Sequence, residues 1–441
     1  MNNMFRLSLL SAFVILSCFS QASAKDIFLS STGDDSNNGQ ASTYAVLTFD
    51  KAYKLARNGD VIQVSGIIDM SNDPGLSMGN GDNGGIKAGY IVRKNITIQG
   101  TTVAMDGFDG RNLTRIFQVT GSNTVTFKNM TLKNGKYLFS NLGGGALYVQ
   151  EANITCENVV FDNNSSFDAT CSGGAVVINA TAGATFKNCV FSNNNGSGGG
   201  AIRLYDVVTT DAIVRIEGCS FINNTSITGG GAALWIRMKG ETAHNAVNVI
   251  NSTFTNNNCH QGTIYLYSVV DPSTTVNITN CTVTANKPYK NGCSGVLVFM
   301  GFLGKCNINN SIIEGNFGGA EGVLPYNDLN NESGPTVSTL EIHNSIIGRV
   351  RGKSVPAECY AGENKFDYLT EYSTESDMIS KLGVFDAVRK CFPLQATSLA
   401  KNYGDAKYLQ ALNVTTDQMG TKRSFDKGKC FAGAVELIAK P

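Results

Sequence analysis

The stretch Ala184-Thr-Phe-Lys-Asn-Cys-Val-Phe-Ser-Asn-Asn194 decides how this chain folds. Ala184 and Phe186 alternate with Thr185 and Lys187, the period-two pattern of a half-buried strand. Asn188 interrupts that alternation; beyond it Cys189 and Phe191 become the inward pair, with Val190 and Ser192 outward. A residue that resets the phase with no intervening loop must occupy a tight bend, and Asn tolerates the left-handed conformation such a bend needs. Asn193 does the same at a second corner. A lone buried amide is costly. Stacked at the strand spacing of about 4.8 Å, such side chains can hydrogen-bond to one another instead.

The phrase recurs on both sides of this stretch. Its first residues are Asn129, Asn158, Asn188, Gly218, Asn251, Asn280, Asn310 and Asn344, at gaps of 29, 30, 30, 33, 29, 30 and 34 residues. A fixed period in this range marks a stacked array whose units cannot bury their apolar faces alone. After a variable Gly/Ser/Asn-rich loop, each unit continues with Gly-Gly-Ala and a third strand. The copies are Gly144-Gly145-Ala146-Leu147, Gly173-Gly174-Ala175-Val176, Gly199-Gly200-Ala201-Ile202 and Gly230-Gly231-Ala232-Ala-Leu-Trp235, with degenerate forms at Gln261-Gly262-Thr263 and Ser294-Gly295-Val296. Three short strands per coil, all running the same way around, make an all-β parallel β-helix. It buries Phe161, Phe191, Phe221 and Phe254 in one column and Leu147, Val176, Ile202 and Ile264 in another.

Composition agrees with many short strands and tight turns: of 441 residues 48 are Gly and only 8 Pro, and 16% are charged. Gly and Asn disfavour long helices. Lys plus Arg equals Asp plus Glu at 35 each, with no basic run, so nothing points to a nucleic-acid partner. Residues 1–24 have the form of a signal peptide: Arg6, an apolar stretch from Leu7 to Phe19, and Ala22-Ser23-Ala24 as a cleavage site before Lys25. Ile15-Leu16-Ser17-Cys18 competes as a lipoprotein signal that would anchor the chain through Cys18. Either way the expectation is export, to a secreted or cell-surface location. The expected organisation is an N-terminal cap and first coils over 25–90, repeats over 91–350, and C-terminal coils and cap over 351–441. Thr48 to Gly59 has helical spacing, with Thr48 as N-cap and Gly59 as stop. That helix would cover the open N-terminal edge of the solenoid, which otherwise invites aggregation.

Cys189, Cys219 and Cys281 share a repeat position with Ser252, Ser311 and Ser345, which marks small buried stacking residues. Cys259, Cys293, Cys306, Cys359, Cys391 and Cys430 are the better disulfide candidates for an oxidising compartment. No Cys or His pair has metal-site spacing, and no cofactor is expected.

The paired Phe-x-Asn-Asn and Gly-Gly-Ala-apolar motifs resemble the repeats of the chlamydial polymorphic outer-membrane proteins, over roughly residues 90–350. That resemblance implies a right-handed β-helix displayed on a bacterial surface as an adhesin. The flanks resemble secreted bacterial β-helix proteins of the pectate-lyase-like superfamily. The segments concerned are Asp26 to Gly39 at the start, and Pro393 to Gly404, Thr416 to Arg423 and Ala432 to Glu436 at the end.

In enzymes of that superfamily the polysaccharide lies along the outer face of the sheet that here begins with Gly-Gly-Ala. Alternation places Tyr148, Gln150, Val177, Asn179, Arg203, Tyr205, Leu234, Ile236, Tyr265, Tyr267, Leu297 and Phe299 outward, and Trp235 inward. Lyases of this type hold calcium with acidic side chains and use Arg or Lys as base; hydrolases need carboxylates at a defined separation. This column has neither acidic arrangement. Arg203, Arg237 and Lys239, with Asp206, form a basic cluster that suits an acidic sugar or an ordinary solvated patch; Arg203, Arg237 and Lys239 are the catalytic candidates should the chain be a lyase, with Arg237 or Lys239 as its base. The aromatic members Tyr148, Tyr205, Tyr265, Tyr267 and Phe299 suit stacking on sugar rings or on one another. Binding of a polysaccharide or host-surface glycan is the leading expectation; an acidic-polysaccharide lyase or hydrolase and an envelope spacer are the alternatives. His343, beside the turn residue Asn344, is expected to be structural.

Overall fold

A computed structural model describes residues 24–77, 86–138, 143–166, 173–179, 183–205, 213–237, 246–267, 273–289, 296–301, 304–316, 328–331, 339–348, 350–352, 365–366 and 380–436. Residues 1–23, with Cys18, lie outside them, as do Cys293 and Cys359. The chain is a parallel β-helix. Among the described residues a 20-stranded sheet carries both strands that flank each Asn bend, an 11-stranded sheet carries the strands after Gly-Gly-Ala, and a short 5-stranded sheet closes the remaining corner. Register runs coil to coil without slippage: Phe161 pairs with Phe191, Phe191 with Phe221, and Phe221 with Phe254. Their rings stack face to face at 4.7, 4.8 and 4.6 Å, all fully buried. Val283 and Ile313 continue the column.

Every Asn of the repeated phrase has a positive φ, from 47° at Asn251 to 53° at Asn188 and Asn158, and Gly218 takes the same conformation at 66°. Gly218 stands there for a second reason: a Cβ would lie 2.4 Å from the side-chain oxygen of Asn188. The second corner is also left-handed, at Asn134, Asn163, Asn193, Asn223 and Asn256. The next residue along is the deeper one. Asn164, Asn194, Asn224, Asn257, Asn286 and Asn316 form a buried amide ladder. The side-chain oxygen of Asn224 accepts from both the Nδ2 (2.9 Å) and the backbone N–H (3.1 Å) of Asn194. The Nδ2 of Asn224 donates onward to Asn257 (3.0 Å) and back to the Phe191 carbonyl (2.9 Å). Each amide is thus satisfied by its neighbours, which is what permits a polar column inside an apolar barrel. The ladder ends on the buried carboxylate of Asp328, 2.6 Å from Asn316 Nδ2.

The cap helix is Phe49–Leu55, with Thr48 Oγ1 accepting from the Lys51 N–H as expected of an N-cap. It stops at Leu55, short of Gly59, because Ala56 is already extended. Phe49 plugs the barrel end, its ring edge-on to Tyr90, Phe108 and Phe117 at 4.8–5.7 Å.

Cys189, Cys219 and Cys281 are buried thiols, as their repeat position implies. The disulfide expectation fails for Cys259, Cys306, Cys391 and Cys430, which are also buried thiols. Cys306 points inward between coils and therefore packs as a small hydrophobe. Burial raises its pKa far above the ordinary thiol range, and pushes that of Cys281 up to about 12.

Residues 380–436 do not continue the coil. They lie lengthwise on the outside of the barrel, along the Asn bend. The amides of Asn251, Asn280, Asn310 and Asn344 donate to the carbonyls of Thr416, Phe431, Asp405 and Tyr403. Gln418 reaches Ser220 and Thr253, and Arg423, buried, bonds Asn251 Oδ1 at 2.7 Å and pairs with buried Glu436 at 3.3 Å. This strap ties several coils together.

Candidate functional site

The outer face of the Gly-Gly-Ala sheet carries two rows of side chains. Backbone pairing aligns Tyr148, Val177, Arg203, Trp235, Tyr265 and Val298 in the first row. Gln150, Asn179, Tyr205 and Arg237 form the second, with Tyr267 in the following coil. This corrects the sequence expectation in two coils. Leu234, Ile236, Leu297 and Phe299 face the core, and Phe299 is fully buried there, so it leaves the ligand-binding set. Trp235, expected inward, faces out and is half-buried.

In the coil of Trp235 the cause is a slip of one residue. Gly231-Ala232-Ala233-Leu234, not Gly230-Gly231-Ala232-Ala233, is the structural counterpart of Gly199-Gly200-Ala201-Ile202. Ile202 pairs with Leu234, and the left-handed glycine is Gly231 at φ 71°, matching Gly199 at 64°. Since strand side chains alternate, a slip of one reverses every assignment in that strand. The recoverable signal was the small residue: Ala can stand where the second Gly of the motif stands.

The first row is largely roofed by the glycine-rich loops. Gly198 lies on the Trp235 ring, where a Cβ would come within 2.5 Å, and Gly230 lies on Tyr265, where it would come within 1.8 Å. Tyr265 is accordingly only 2% exposed and Arg203 7%. Tyr148 is equally buried, for a different reason. Arg115, itself buried, lays its guanidinium 5.0 Å from the Tyr148 ring and 3.6 Å from Tyr137, while donating to the carbonyls of Ala88, Gly143 and Gly144. Tyr148 and Tyr265 therefore support the face from beneath and are not contact residues.

What remains partly open is Tyr205, Trp235, Arg237 and Tyr267. Contacts between planar groups join them over three adjacent coils. The Arg203 guanidinium sits 4.2 Å from the Tyr205 ring and 4.4 Å from Trp235. Arg237 lies 5.0 Å from Tyr205. Trp235 meets Tyr265 and Tyr267 at 6.1 and 6.2 Å, and those two tyrosines stack at 5.6 Å. A cation held over two rings gains from both quadrupoles and fixes their planes. No described outward position from Gln118 to Val298 is a carboxylate, and no group of three or more His, Cys, Asp or Glu could hold a metal among the described residues. Lys239 and Asp206 of the expected basic cluster lie outside the described residues.

Comparison with known proteins gives structural neighbours at low identity. A rhamnogalacturonan lyase aligns over 83% of this chain and 92% of its own, at 13% identity and TM-score 0.40. The pectate lyase Pel9A aligns over 94% and 97%, at 12% and 0.42. XylC, solved with xylose, aligns over 94% and 99%, at 9% and 0.36. No protein-family model and no curated protein matches the chain.

Proposed function

We propose that this chain is an exported or surface-exposed β-helix that binds a polysaccharide or host-surface glycan along the outer face of its Gly-Gly-Ala sheet. One observation carries the proposal: Tyr205, Trp235 and Tyr267, partly open and on three successive coils, are joined into one aromatic strip through Arg203 and Tyr265, with the Trp235 ring tilted 61° to that of Tyr267. Tyr205 and Tyr267 are two coils apart, roughly 10 Å at the usual strand spacing, about the length of a disaccharide. Apolar sugar faces stack on such rings, and Tyr gives that contact at low entropic cost. Arg237, the more open of the two arginines, would favour glycans bearing carboxylates or sulfates.

The test is a glycan array run beside an assay for unsaturated and reducing-end products on uronic-acid polymers. The expected result is retention on the array without turnover. Turnover abolished by Arg237→Ala or Lys239→Ala would instead identify a lyase. Neither retention nor turnover would leave a spacer.

A further inference from the structure

We infer that the glycan surface continues past the aromatic strip into a second subsite, the amide pair of Gln150 and Asn179, which takes the hydroxyls of a neutral sugar residue and sets the length of the recognised ligand. This rests on the reading of the strip as a glycan surface and extends it by two coils.

The row that holds Tyr205 and Arg237 begins earlier in the chain. Thr120, Gln150, Asn179 and Tyr205 follow one another in it, one per coil, and Gln150 and Asn179 are half-buried. Elsewhere, amides stacked in adjacent coils bond to one another. Asn158 Nδ2 donates to Asn129 at 3.0 Å, and Asn277 Nδ2 to Asn248 at 2.8 Å. Gln150 and Asn179 instead each turn to the hydroxyl of Tyr148, which accepts from Asn179 Nδ2 and donates to Gln150 Oε1, both at 3.3 Å.

A phenol has one proton to give, so it donates to one amide and accepts from the other. The atoms left facing out are therefore unlike: Gln150 Nε2, a donor, and Asn179 Oδ1, an acceptor, one coil apart at about 4.8 Å. Neither has a partner among the described residues, and both are open to solvent, whereas Thr120 Oγ1, before them in the row, is sealed. Tyr148 is fixed from the other side: it is 2% exposed, with the buried Arg115 guanidinium 5.0 Å from its ring. The amides are thus aimed before a ligand arrives, which lowers the cost of ordering them.

A donor beside an acceptor fits hydroxyls, which play both parts. A carboxylate would face the Asn179 oxygen, with the exposed Glu151 next to Gln150 in the chain; an ammonium would face Gln150 Nε2. From Thr120 to Tyr267 the row holds one charged side chain, Arg237, two coils beyond Asn179. The row therefore has a neutral end and a cationic end. Gln150 and Tyr267 are four coil steps apart, roughly 19 Å, nearly twice the span from Tyr205 to Tyr267, so a chain of about four sugar residues covers both ends. A polymer with a carboxylate on every residue suits only one of them.

The experiment is calorimetric titration of the full chain with di-, tetra- and hexasaccharides of three series: hyaluronan, with a carboxylate on alternate residues; oligogalacturonate, with one on every residue; and cello-oligosaccharides, with none. At least one series that contains neutral residues should gain about ten-fold in affinity from the disaccharide to the tetrasaccharide, as two added hydrogen bonds would give, and little beyond it. Oligogalacturonate should gain less. Gln150→Ala/Asn179→Ala should bring the tetrasaccharide back to the affinity of the disaccharide. Tyr148→Phe keeps the ring beside Arg115 and removes the hydroxyl that aims both amides, so it should lose most of the gain at a nearly unchanged melting temperature. Equal affinity for di- and tetrasaccharide in every series, an equal gain with oligogalacturonate, or a gain that survives either variant would overturn the subsite and leave the strip standing. Binding of no series, or binding indifferent to Tyr205→Ala/Tyr267→Ala, would overturn both.

Discussion

A single residue type, Asn, does three separate jobs in most coils, with Gly218 standing in at one bend and Ala285 and Gly315 at two second corners. At the bend its tolerance of positive φ turns the chain; at the next corner it turns it again; one position later its amide closes a buried ladder. The jobs carry different costs when removed. Asn188→Ala keeps the fold and strains one left-handed position, so about 1 kcal/mol is expected from equilibrium denaturation. Asn224→Leu removes the acceptor of two Asn194 donors and the donor to the Phe191 carbonyl, and should cost about 3 kcal/mol or more. Phe191→Ala breaks the ring stack and should cost roughly 3–5 kcal/mol. If Asn224→Leu proves milder than Asn188→Ala, the ladder is not what it is described to be. Asp106 illustrates the same logic for charge. Burial would raise its pKa, but the N–H groups of Gly66, Thr101 and Thr102 and the Thr101 hydroxyl all donate to it, and the net effect is below 3.8. Its stabilising contribution is present above pH 3.8 and lost as pH falls through the lower folded value. Asp106→Asn should flatten stability against pH in that acid window, as a urea midpoint series would read.

At the scale of strands, periodicity makes the inner half of each coil legible and leaves the outer half fragile. The stretch from Ala184 has a legible phase because Ala184 and Phe186 alternate with Thr185 and Lys187, and Phe191 returns at the same place in the neighbouring coils as Phe161, Phe221 and Phe254. Gly-Gly-Ala followed by Val-Val-Ile or Leu-Trp-Ile does not, since both faces of that strand are covered and both read as apolar. Phase then rests on which small residue is the left-handed one, and in the coil of Trp235 that is Gly231. The roof over the outer row was not legible at all, because it depends on loops whose glycines say only that something comes close. Gly230 is the sharpest instance. Gly230→Ala drives a methyl into the Tyr265 ring, so the ring must move; roughly 1–3 kcal/mol should be lost, as expected of overpacking, and a melt as stable as wild type would show that the loop does not lie on that ring.

Over the whole molecule, the cap helix, the barrel and the strap form one object in which a long array is held from the side as well as stacked. Arg423 and Glu436 are the buried tie. Arg423→Met leaves the Glu436 carboxylate and the Asn251 oxygen without their partner and should destabilise the fold by about 3–5 kcal/mol, while the double change with Glu436→Gln should recover part of that loss. A denaturation series on the three proteins decides it; equal loss in single and double variants would show the pair is not coupled. With the strap on the Asn bend, the Gly-Gly-Ala sheet keeps its aromatic strip open, and Trp235, the one tryptophan in the chain, sits in the strip as a built-in reporter. The most direct measurement is therefore a fluorescence titration of Trp235 with a uronic-acid polysaccharide, for the wild type and for Tyr205→Ala/Tyr267→Ala, with melts recorded for both. Binding through the strip predicts a saturable change in emission, weakened about ten-fold or more in the double variant at an unchanged melting temperature. A saturable change of equal affinity in both proteins, or no response to any glycan that the wild type retains, would contradict it.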